Sequence, residues 1–191
     1  MLKLRQLQKE KQKQKVSESD GLSNKPLNTA SYSSSSPSQL RIDKDLMHLE
    51  LPPCATIDTQ RLKSDNIIRL SISPDEGYYK GGRFSFSISF KDTYPMEPPI
   101  VKCLNTIYHP NIDYNGSICL NVLREDWSPV MDLQTVVIGL LFLFLEPNGN
   151  DPLNKHAAET LIKDEQRFQM NVTSSMMGRT VNGQVCDFVL H

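Results

Sequence analysis

A cysteine and an asparagine stand close together in the stretch from His109 to Asn121. Cys119 follows Asn111 by eight residues, and the segment between them contains the turn-forming pairs His-Pro and Asn-Gly. We interpret this segment as a loop, too broken for a helix or a strand, that holds the two side chains near each other. A cysteine whose partner is an amide rather than a base suggests that the thiol carries an acyl group and does not hydrolyse a bond.

His109 is the obvious alternative partner for this thiol. A general base beside Cys119 would indicate a cysteine hydrolase, and a papain-like enzyme would place its histidine far downstream of the cysteine. His156 and His191 do not resemble that arrangement. We therefore interpret His109, which is followed by Pro110, as a residue that shapes the turn.

The remaining cysteines and the bulk composition exclude several classes of protein. The four cysteines and four histidines lack zinc-ligand spacing, and no glycine-rich nucleotide motif occurs, so we expect no bound metal or cofactor. We interpret Cys54, Cys103 and Cys186 as small buried residues with free thiols, in a reducing compartment.

Charge and hydropathy exclude further partners. A net charge of −1 is not that of a globally basic nucleic-acid binder. The N-terminus is charged and polar, unlike a secretory signal. The longest apolar run, Val136 to Leu145, has ten residues and is too short to cross a bilayer. We expect no nucleic-acid partner and no membrane segment.

The elements that position the loop follow from capping and periodicity. Ser36, Pro37 and Gln39 predict a helix start with a capping box. Apolar residues at helical spacing continue it until a Leu-Pro-Pro sequence at residues 51–53, and they are Ile42, Leu46 and Leu49.

A strand-rich block comes next. Alternating apolar residues predict two strands joined by a turn at residues 77–82, and the apolar positions are Ile68, Leu70, Ile72, Phe84, Phe86, Ile88 and Phe90. We expect a further strand at Ile100–Cys103 and a short pairing near Ala55 to Ile57.

Helices end the chain. Beyond the cysteine loop we expect a buried helix from Leu133 to Leu145, stopped by a Glu-Pro-Asn-Gly sequence. Residues from Ala157 onward predict more helix, with or without a break before Phe168. The whole pattern indicates an α+β fold.

Three segments divide the chain. Residues 1–36 are basic and then serine-rich, with too few apolar residues to fold alone, so we predict that they are disordered in isolation. Residues 37–180 form the predicted catalytic core. Residues 181–191 are set apart as a C-terminal tail.

The loop around Cys119 resembles the active-site signature of the ubiquitin-conjugating enzymes. Three further motifs stand at that family's spacing, and together the set covers residues 37–178; they are Tyr94–Pro99, Asp126–Pro129 and Asn150–Leu153. The resemblance implies the ubiquitin-conjugating fold, with an N-terminal helix, a four-stranded antiparallel meander, the active-site loop and C-terminal helices. It also implies that ATP is used by an upstream activating enzyme.

The resemblance implies roles for three residues. Cys119 would receive the C-terminal carboxyl of a modifier as a thioester, which a substrate lysine then attacks. Asn111 matches an asparagine implicated in stabilising the oxyanion of that attack, although it could instead tie down the loop. Asp151 matches the carboxylate that receives the lysine, although it could instead cap a helix.

Two proline-bounded loops match the family's ligase-binding surface. Met96 and Pro98 belong to the first, and Ser128 and Pro129 belong to the second. Apolar residues fixed by prolines suit a preformed docking patch. Trp127 is interpreted as core that supports the second loop from beneath.

Finer motifs are similar to the branch of the family that conjugates NEDD-type modifiers, called RUB-type in fungi. They are residues 1–5, 74–79, 123–127, 144–148 and 151–155. The similarity implies transfer to lysines of cullins, a heterodimeric activating enzyme, a RING-type ligase and a cullin-neddylation co-ligase as partners, and a location in cytoplasm and nucleus.

With this resemblance, we interpret the N-terminal segment, residues 1–36, as a docking extension. Met1, Leu2, Leu4 and Leu7 are apolar anchors on a basic strand that can fold into grooves on the activating enzyme and on the co-ligase. A solvated tail that binds nucleic acid or anionic membrane weakly is the alternative.

Two rival functions remain at this point. An ordinary ubiquitin carrier would share every catalytic residue. A catalytically dead adaptor that only binds the modifier would typically lack the cysteine, whereas this chain has it.

Overall fold

The computed structural model describes residues 36–190. The backbone follows the predicted order of helix, antiparallel meander, loop and further helices, which confirms the α+β architecture. In chain order the elements are α1 Pro37–Met47, β1 Ala55–Asp58, α2 Leu62–Asp65, β2 Ile67–Ile72, β3 Phe84–Ser89, β4 Ile100–Cys103, a 3₁₀ turn Asn121–Leu123, α3 Leu133–Leu145, α4 Lys155–Lys163, α5 Glu165–Met176, β5 Thr180–Val181 and β6 Gln184–Val185. The prediction of disorder for residues 1–36 falls, apart from Ser36, outside the described residues.

The first four strands form one antiparallel sheet in sequential order. The register places Leu70 of β2 opposite Phe86 of β3, and Phe86 opposite Cys103 of β4. Buried and partly exposed residues alternate along β2 and β3, as the sequence predicted. The short pairing expected near Ala55 is confirmed as β1, which lies beside β2.

Helix α3 packs against the inner face of this sheet. Asp132 caps its first turn by accepting a hydrogen bond from the Thr135 N–H at 3.0 Å. Near its other end the ring of Phe144 stacks on Phe84, with 4.4 Å between centroids, and meets the edge of Phe86. The helix runs over the predicted residues 133–145. It is buried on most sides, as expected for a segment this apolar.

Helix α1 begins as predicted but differs at two points. The Ser36 hydroxyl accepts a hydrogen bond from the Gln39 N–H at 3.2 Å. The expected capping box is wrong in its second half, because the Gln39 side-chain amide donates to Asp43 one turn later. The helix also ends at Met47, before the prolines, so Leu49 lies outside it.

The two C-terminal helices are separate. Asp164 ends α4 and also caps α5, where its carboxylate accepts from the Arg167 N–H at 3.0 Å. One residue therefore serves both ends, with its backbone N–H at the end of α4 and its carboxylate at the start of α5, which places the break directly before α5.

The segment that follows α5 packs onto the fold. Thr180–Val181 and Gln184–Val185 pair as a small hairpin, in a segment where periodicity predicted no strand. The Val189 N–H donates to the carbonyl of Met176 at 2.9 Å, and the Val189 carbonyl accepts from the Arg83 N–H at 2.8 Å. Residues 181–190, set apart above as a tail, thus join α5 to the start of β3.

The described residues contain all four cysteines and the apolar run that was compared with a membrane span. None of these cysteines forms a disulfide. No helix within residues 36–190 has the length and apolarity that a membrane span requires.

Candidate active site

The loop around Cys119 is a small irregular hairpin. Ile112 and Ile118 face each other in an isolated bridge, and the Cys119 N–H donates to the Asn111 carbonyl at 2.8 Å. The Asp113 carboxylate accepts from the backbone N–H groups at positions 115 and 117, at 2.9 and 2.8 Å, and so closes the turn. The predicted proximity of Asn111 and Cys119 therefore arises from backbone pairing across the hairpin.

Gly116 allows this hairpin to lie against the sheet. Its φ is +80°, and a Cβ on it would stand 2.0 Å from the carbonyl oxygen of Cys103. The Cys103 N–H donates to the Gly116 carbonyl at 2.9 Å. A side chain would push the loop off β4, so only glycine fits here.

The Asn111 side chain holds a second loop, residues 147–152, which we call the Asp151 loop, and uses both of its N–H donors to do so. Its amide nitrogen donates to the carbonyls of Asn148 and Asp151, at 2.8 and 3.1 Å. Its amide oxygen accepts from the Asn148 N–H at 2.9 Å. In this conformation the amide ties the two loops together, and oxyanion stabilisation by Asn111 stays a prediction that requires release of one of these bonds.

The neighbouring Pro110 strengthens the same junction. Its carbonyl accepts from the N–H groups of Leu153 and Asn154, at 2.9 and 3.0 Å. Asn154 then caps α4, since its side chain accepts from the Ala157 N–H at 3.1 Å. The helix cap is therefore Asn154 and not Asp151, which excludes the capping interpretation of Asp151.

These contacts bring Asp151 to the thiol. The Cys119 Sγ–H donates to Oδ2 of Asp151 at 2.9 Å. Cys119 is 7% exposed, while Asp151 faces solvent. A carboxylate that lies beside a thiol and is open to solvent can accept a hydrogen bond from an ammonium group that approaches an acyl group on the sulfur.

The electrostatics keep the resting thiol protonated. Burial is the largest cause that raises the pKa of Cys119, and the hydrogen bond to Asp151 adds to it. Arg124 opposes the rise, because its positive charge favours the thiolate. The resting cysteine is thus not an activated hydrolase nucleophile.

His109 supports the loop and is not a base for Cys119. Its Nδ1 accepts from the Asn111 N–H at 2.9 Å, so Nε2 carries the proton and donates to the Leu143 carbonyl, also at 2.9 Å. The ring is fully buried and stacks on Tyr79. Burial lowers the pKa of His109 to about 4, and these contacts agree with the turn-shaping role expected from the sequence.

The thiols of Cys103 and Cys186 donate to backbone carbonyls, those of Asn105 at 3.4 Å and Gln184 at 3.8 Å. Burial raises the pKa of Cys103 to about 12 and also raises that of Cys186. Within residues 36–190 no group of three or more histidine, cysteine or acidic side chains is arranged to hold a metal ion.

A comparison with protein families decides the membership of this chain. The model described as "Ubiquitin-conjugating enzyme" matches residues 41–176, a range that contains all three predicted catalytic residues. The chain belongs to the ubiquitin-conjugating enzyme family.

Members of the family from several organisms are similar over most of their length. "NEDD8-conjugating enzyme UBC12" of Eremothecium gossypii is 62% identical over 191 residues and covers 100% of both chains. "Nedd8-conjugating enzyme UbcE2M" of Drosophila melanogaster is 49% identical, over 76% of this chain and 81% of its own. The solved structure of "S. cerevisiae Ubc12" superposes with a TM-score of 0.78, at 43% identity and over 99% of each chain.

The two loops that match the family's ligase-binding surface are joined to α1 by one network. Arg41 donates to the carbonyls of Pro129 and Met131, and its Nε donates to Asp45 at 2.8 Å. Asp45 also accepts from the Tyr94 hydroxyl. Because this network joins one helix and two loops, they present a single preformed surface.

The predicted docking residues differ in exposure on that surface. Met96 is 72% exposed and Pro129 is exposed, whereas Pro98 and Ser128 are half-buried. Trp127 supports both loops, since its indole N–H donates to the Pro95 carbonyl at 2.8 Å. Met1, Leu2, Leu4 and Leu7 lie outside the described residues.

Sequence reasoning missed residues that shape the site without reacting. The sequence motifs include Asn148 but assign it no role, whereas in the structure its backbone carbonyl and N–H bind the Asn111 amide. Gly139 of α3 leaves room for Leu120, whose Cδ2 would stand 3.1 Å from a Cβ at that position. The Asn-Gly-Asn-Asp-Pro run at residues 148–152 was the available signal for a built loop, because such residues favour defined turns.

Proposed function

We propose that this chain is a NEDD8-conjugating enzyme that carries the modifier as a thioester on Cys119 and transfers it to a lysine of a protein substrate. The observation that carries the chemistry is the 2.9 Å contact between the Cys119 thiol and the Asp151 carboxylate. The relative in Eremothecium gossypii, a NEDD8-conjugating enzyme that matches this chain from end to end, supports NEDD8, a NEDD/RUB-type modifier, as the cargo.

The first step is thioester exchange. The sulfur of Cys119 attacks the carbonyl carbon of the modifier's thioester on the activating enzyme. The C–S bond to that enzyme breaks, its cysteine leaves as a thiolate, and that thiolate takes up the proton that Cys119 gives up. The exchange needs no hydrolytic base, because a small thiolate fraction is already a strong nucleophile.

The second step forms the isopeptide bond. Acylated Cys119 has no S–H, so Asp151 Oδ2 is relieved of its donor and can accept a hydrogen bond from the substrate ammonium. Once the Asp151 carboxylate or solvent takes one proton, the neutral lysine nitrogen attacks the thioester carbonyl and forms the C–N bond. The C–S bond breaks, Cys119 departs as a thiolate, and that thiolate takes up the second proton that the nitrogen loses as the amide forms. The role of Asp151 is to orient the lysine and to ease the loss of the first proton.

Asn111 supports this step through the backbone of the Asp151 loop. One buried amide donates two hydrogen bonds and accepts a third, and these bonds fix Asn148 and Asp151 relative to the cysteine hairpin. Ordering of the acceptor geometry in advance lowers the entropic cost of lysine attack.

The partners and compartment belong to the same proposal. The surface with Met96, Pro98, Ser128 and Pro129 receives a RING-type ligase, and residues 1–36 receive the heterodimeric activating enzyme and the co-ligase. Cullins are the substrates, in cytoplasm and nucleus, and the protein acts without a bound cofactor because ATP is used upstream.

Thioester charging tests the proposal. The purified protein is mixed with ATP, NEDD8 and its activating enzyme, and a parallel mixture contains ubiquitin and the ubiquitin-activating enzyme. Non-reducing gels should show a thiol-sensitive adduct with NEDD8 and none with ubiquitin. Cys119→Ala should give no adduct, whereas Cys54→Ala, which removes a half-buried cysteine, should charge normally.

Each other outcome selects a rival. Charging with ubiquitin alone would identify an ordinary ubiquitin carrier and contradict the modifier assignment. No charging with either modifier would contradict the enzyme and favour the adaptor.

A further inference from the structure

Two kinds of contact hold the Asp151 loop. Hydrogen bonds from Asn111 hold one side, and a packing contact holds the other. Asn111 binds the inner side of the loop at Asn148 and Asp151. On the outer side lies α4, whose Ile162 is 66% exposed. A lone exposed isoleucine needs no explanation by itself, but this one has a specific contact.

Ile162 packs directly on the backbone of Gly149. A Cβ on Gly149 would stand 2.9 Å from Cδ1 and 3.0 Å from Cγ1 of Ile162, and 3.6 Å from the carbonyl oxygen of Ala158. The isoleucine side chain thus fills the space where a side chain at position 149 would be. Because isoleucine is β-branched and stiff at χ1, it makes a firm stop for the loop.

The glycine is required here for space and not for its backbone freedom. Gly149 is absent from the glycines of positive φ in residues 36–190, unlike Gly116. Its backbone conformation therefore tolerates an alanine, and the neighbouring Ile162 is what disfavours one. The small residue and the large residue are complementary.

We propose that Ile162, through its contact with Gly149, is a positioning residue that holds the Asp151 carboxylate at the Cys119 thiol. This inference deepens the proposed function and rests on it for the lysine-transfer step. Asn111 prevents the loop from moving outward at its two ends, and Ile162 limits movement of its middle. Loss of the outer contact widens the range of positions of Asp151 without touching Cys119.

The expected consequence separates transfer from charging. Charging depends on Cys119 and on contacts with the activating enzyme, so Ile162→Ala should leave it unchanged. Transfer depends on where the carboxylate stands, and a misplacement of about 1 Å can cost about 100-fold. A partial loosening should slow discharge to free lysine by roughly three- to tenfold, mainly as a higher apparent KM for lysine.

A second readout needs no modifier. The contact with Asp151 helps to keep the Cys119 thiol protonated. A displaced carboxylate does this less well, so the midpoint of the pH profile for alkylation of uncharged Cys119 by iodoacetamide should move to lower pH. A role in stability alone would not move this midpoint.

The test uses a double-mutant cycle in the full chain. Ile162→Ala opens the space, Gly149→Ala pushes the loop against Ile162, and the double variant places a methyl group in the vacated space. Each single variant should slow lysine discharge and shift the alkylation profile, and the double variant should recover much of both. Met170→Ala, a truncation of a 62% exposed side chain on α5, should match the wild type.

Two results would overturn the inference. The first is an Ile162→Ala protein whose discharge and alkylation profile equal those of the wild type. The second is a double variant whose defects are the sum of the single ones. Failure of the wild type to charge with NEDD8 would count against the proposed function, while the alkylation profiles would still test the contact.

Discussion

Under the proposed function, Asp151 acts on Cys119 in opposite ways before and after charging. Before charging its carboxylate accepts the thiol hydrogen and disfavours the thiolate. In the proposed transfer step that hydrogen is gone once Cys119 is charged, and the same oxygen is free for a lysine. A single carboxylate can thus protect the empty enzyme from side reactions and serve the loaded one.

Asp151→Asn should separate these two effects. Removal of the negative charge lowers the pKa of Cys119, because the charge favours the protonated thiol. Alkylation at pH 7.5 should accelerate several-fold, since one pKa unit is about tenfold in thiolate fraction. Lysine discharge should slow by about tenfold or more. Stopped alkylation followed by mass spectrometry measures the first rate, and decay of the thioester measures the second.

The matched control is Asp92→Asn, which changes an exposed carboxylate in the loop after β3. It should leave both rates unchanged. An Asp151→Asn protein that alkylates more slowly than the wild type would contradict the assignment of the hydrogen bond.

His109 makes the stability depend on pH. Its folded pKa is about 4 because it is buried, against about 6.5 for an unfolded histidine. The unfolded chain therefore binds the proton first, and stability is lost as the pH falls from about 6.5 towards 4. The loss between pH 7 and pH 5 should be about 2 kcal/mol in the free energy of unfolding, measurable by urea titration.

A direct observation checks the same point. The imidazole signals of His109 in a ¹H–¹³C spectrum should stay constant from pH 7.5 to 5. His48→Gln, which removes an exposed histidine, should leave the pH-dependent loss intact. A His109 signal that titrates near pH 6.5 would contradict the buried neutral ring.

At the level of elements, α1 and the two proline-bounded loops form one connected unit. The link is the buried Asp45, which accepts from Arg41, Tyr94 and the Leu133 N–H. In the proposed function, a ligase that contacts only the loops would therefore also depend on the position of α1. Hydrogen bonds to a buried charge are among the stronger ones in proteins, so this link is rigid.

Tyr94→Phe should show how much this link contributes to the free energy of unfolding. It keeps the ring and removes the donor to a buried carboxylate, so the free energy of unfolding should fall by about 1.5–3 kcal/mol. Tyr78→Phe is the matched control, because the Tyr78 hydroxyl also donates to a carboxylate, that of Glu165, but at the surface. The control should change stability by no more than about 0.5 kcal/mol.

Urea unfolding of both variants decides the comparison. Equal losses in the two proteins would show that burial of Asp45 does not strengthen the Tyr94 bond. Thioester charging should persist in both variants, because neither residue touches Cys119.

At the scale of the whole molecule, the C-terminal segment, residues 181–190, packs against the rest of the domain. Val189 is 5% exposed and its backbone joins α5 to the residue before β3. The segment therefore contributes to the stability of the core and is not a free appendage.

Val189→Ala should lower the free energy of unfolding by about 1–3 kcal/mol, through lost burial and a small cavity. Val185→Ala, a truncation of a 64% exposed valine in the adjacent strand β6, should be close to neutral. Thermal unfolding of the two variants beside the wild type measures the difference. A neutral Val189→Ala would contradict the packing of this segment.

The sequence by itself determined the elements whose causes are local. The limits of α3, the alternation in β2 and β3 and the cap at Ser36 follow from residues near one another in the chain. The loop around Cys119 was identifiable for the same reason, since its turn formers lie within one short segment. The expected amide partner of the thiol was wrong, because the thiol donates to Asp151 and the Asn111 side chain bonds elsewhere.

The tertiary structure decided everything that depends on where distant segments meet. It placed the Asp151 carboxylate at the thiol, gave the Asn111 amide to the backbone of the Asp151 loop, and set Ile162 on Gly149. It also folded residues 181–190 onto the domain. Periodicity and capping act over a few residues, whereas these contacts join positions about 10 to 100 apart, and packing of the complete chain selects among the many such pairings that local rules allow.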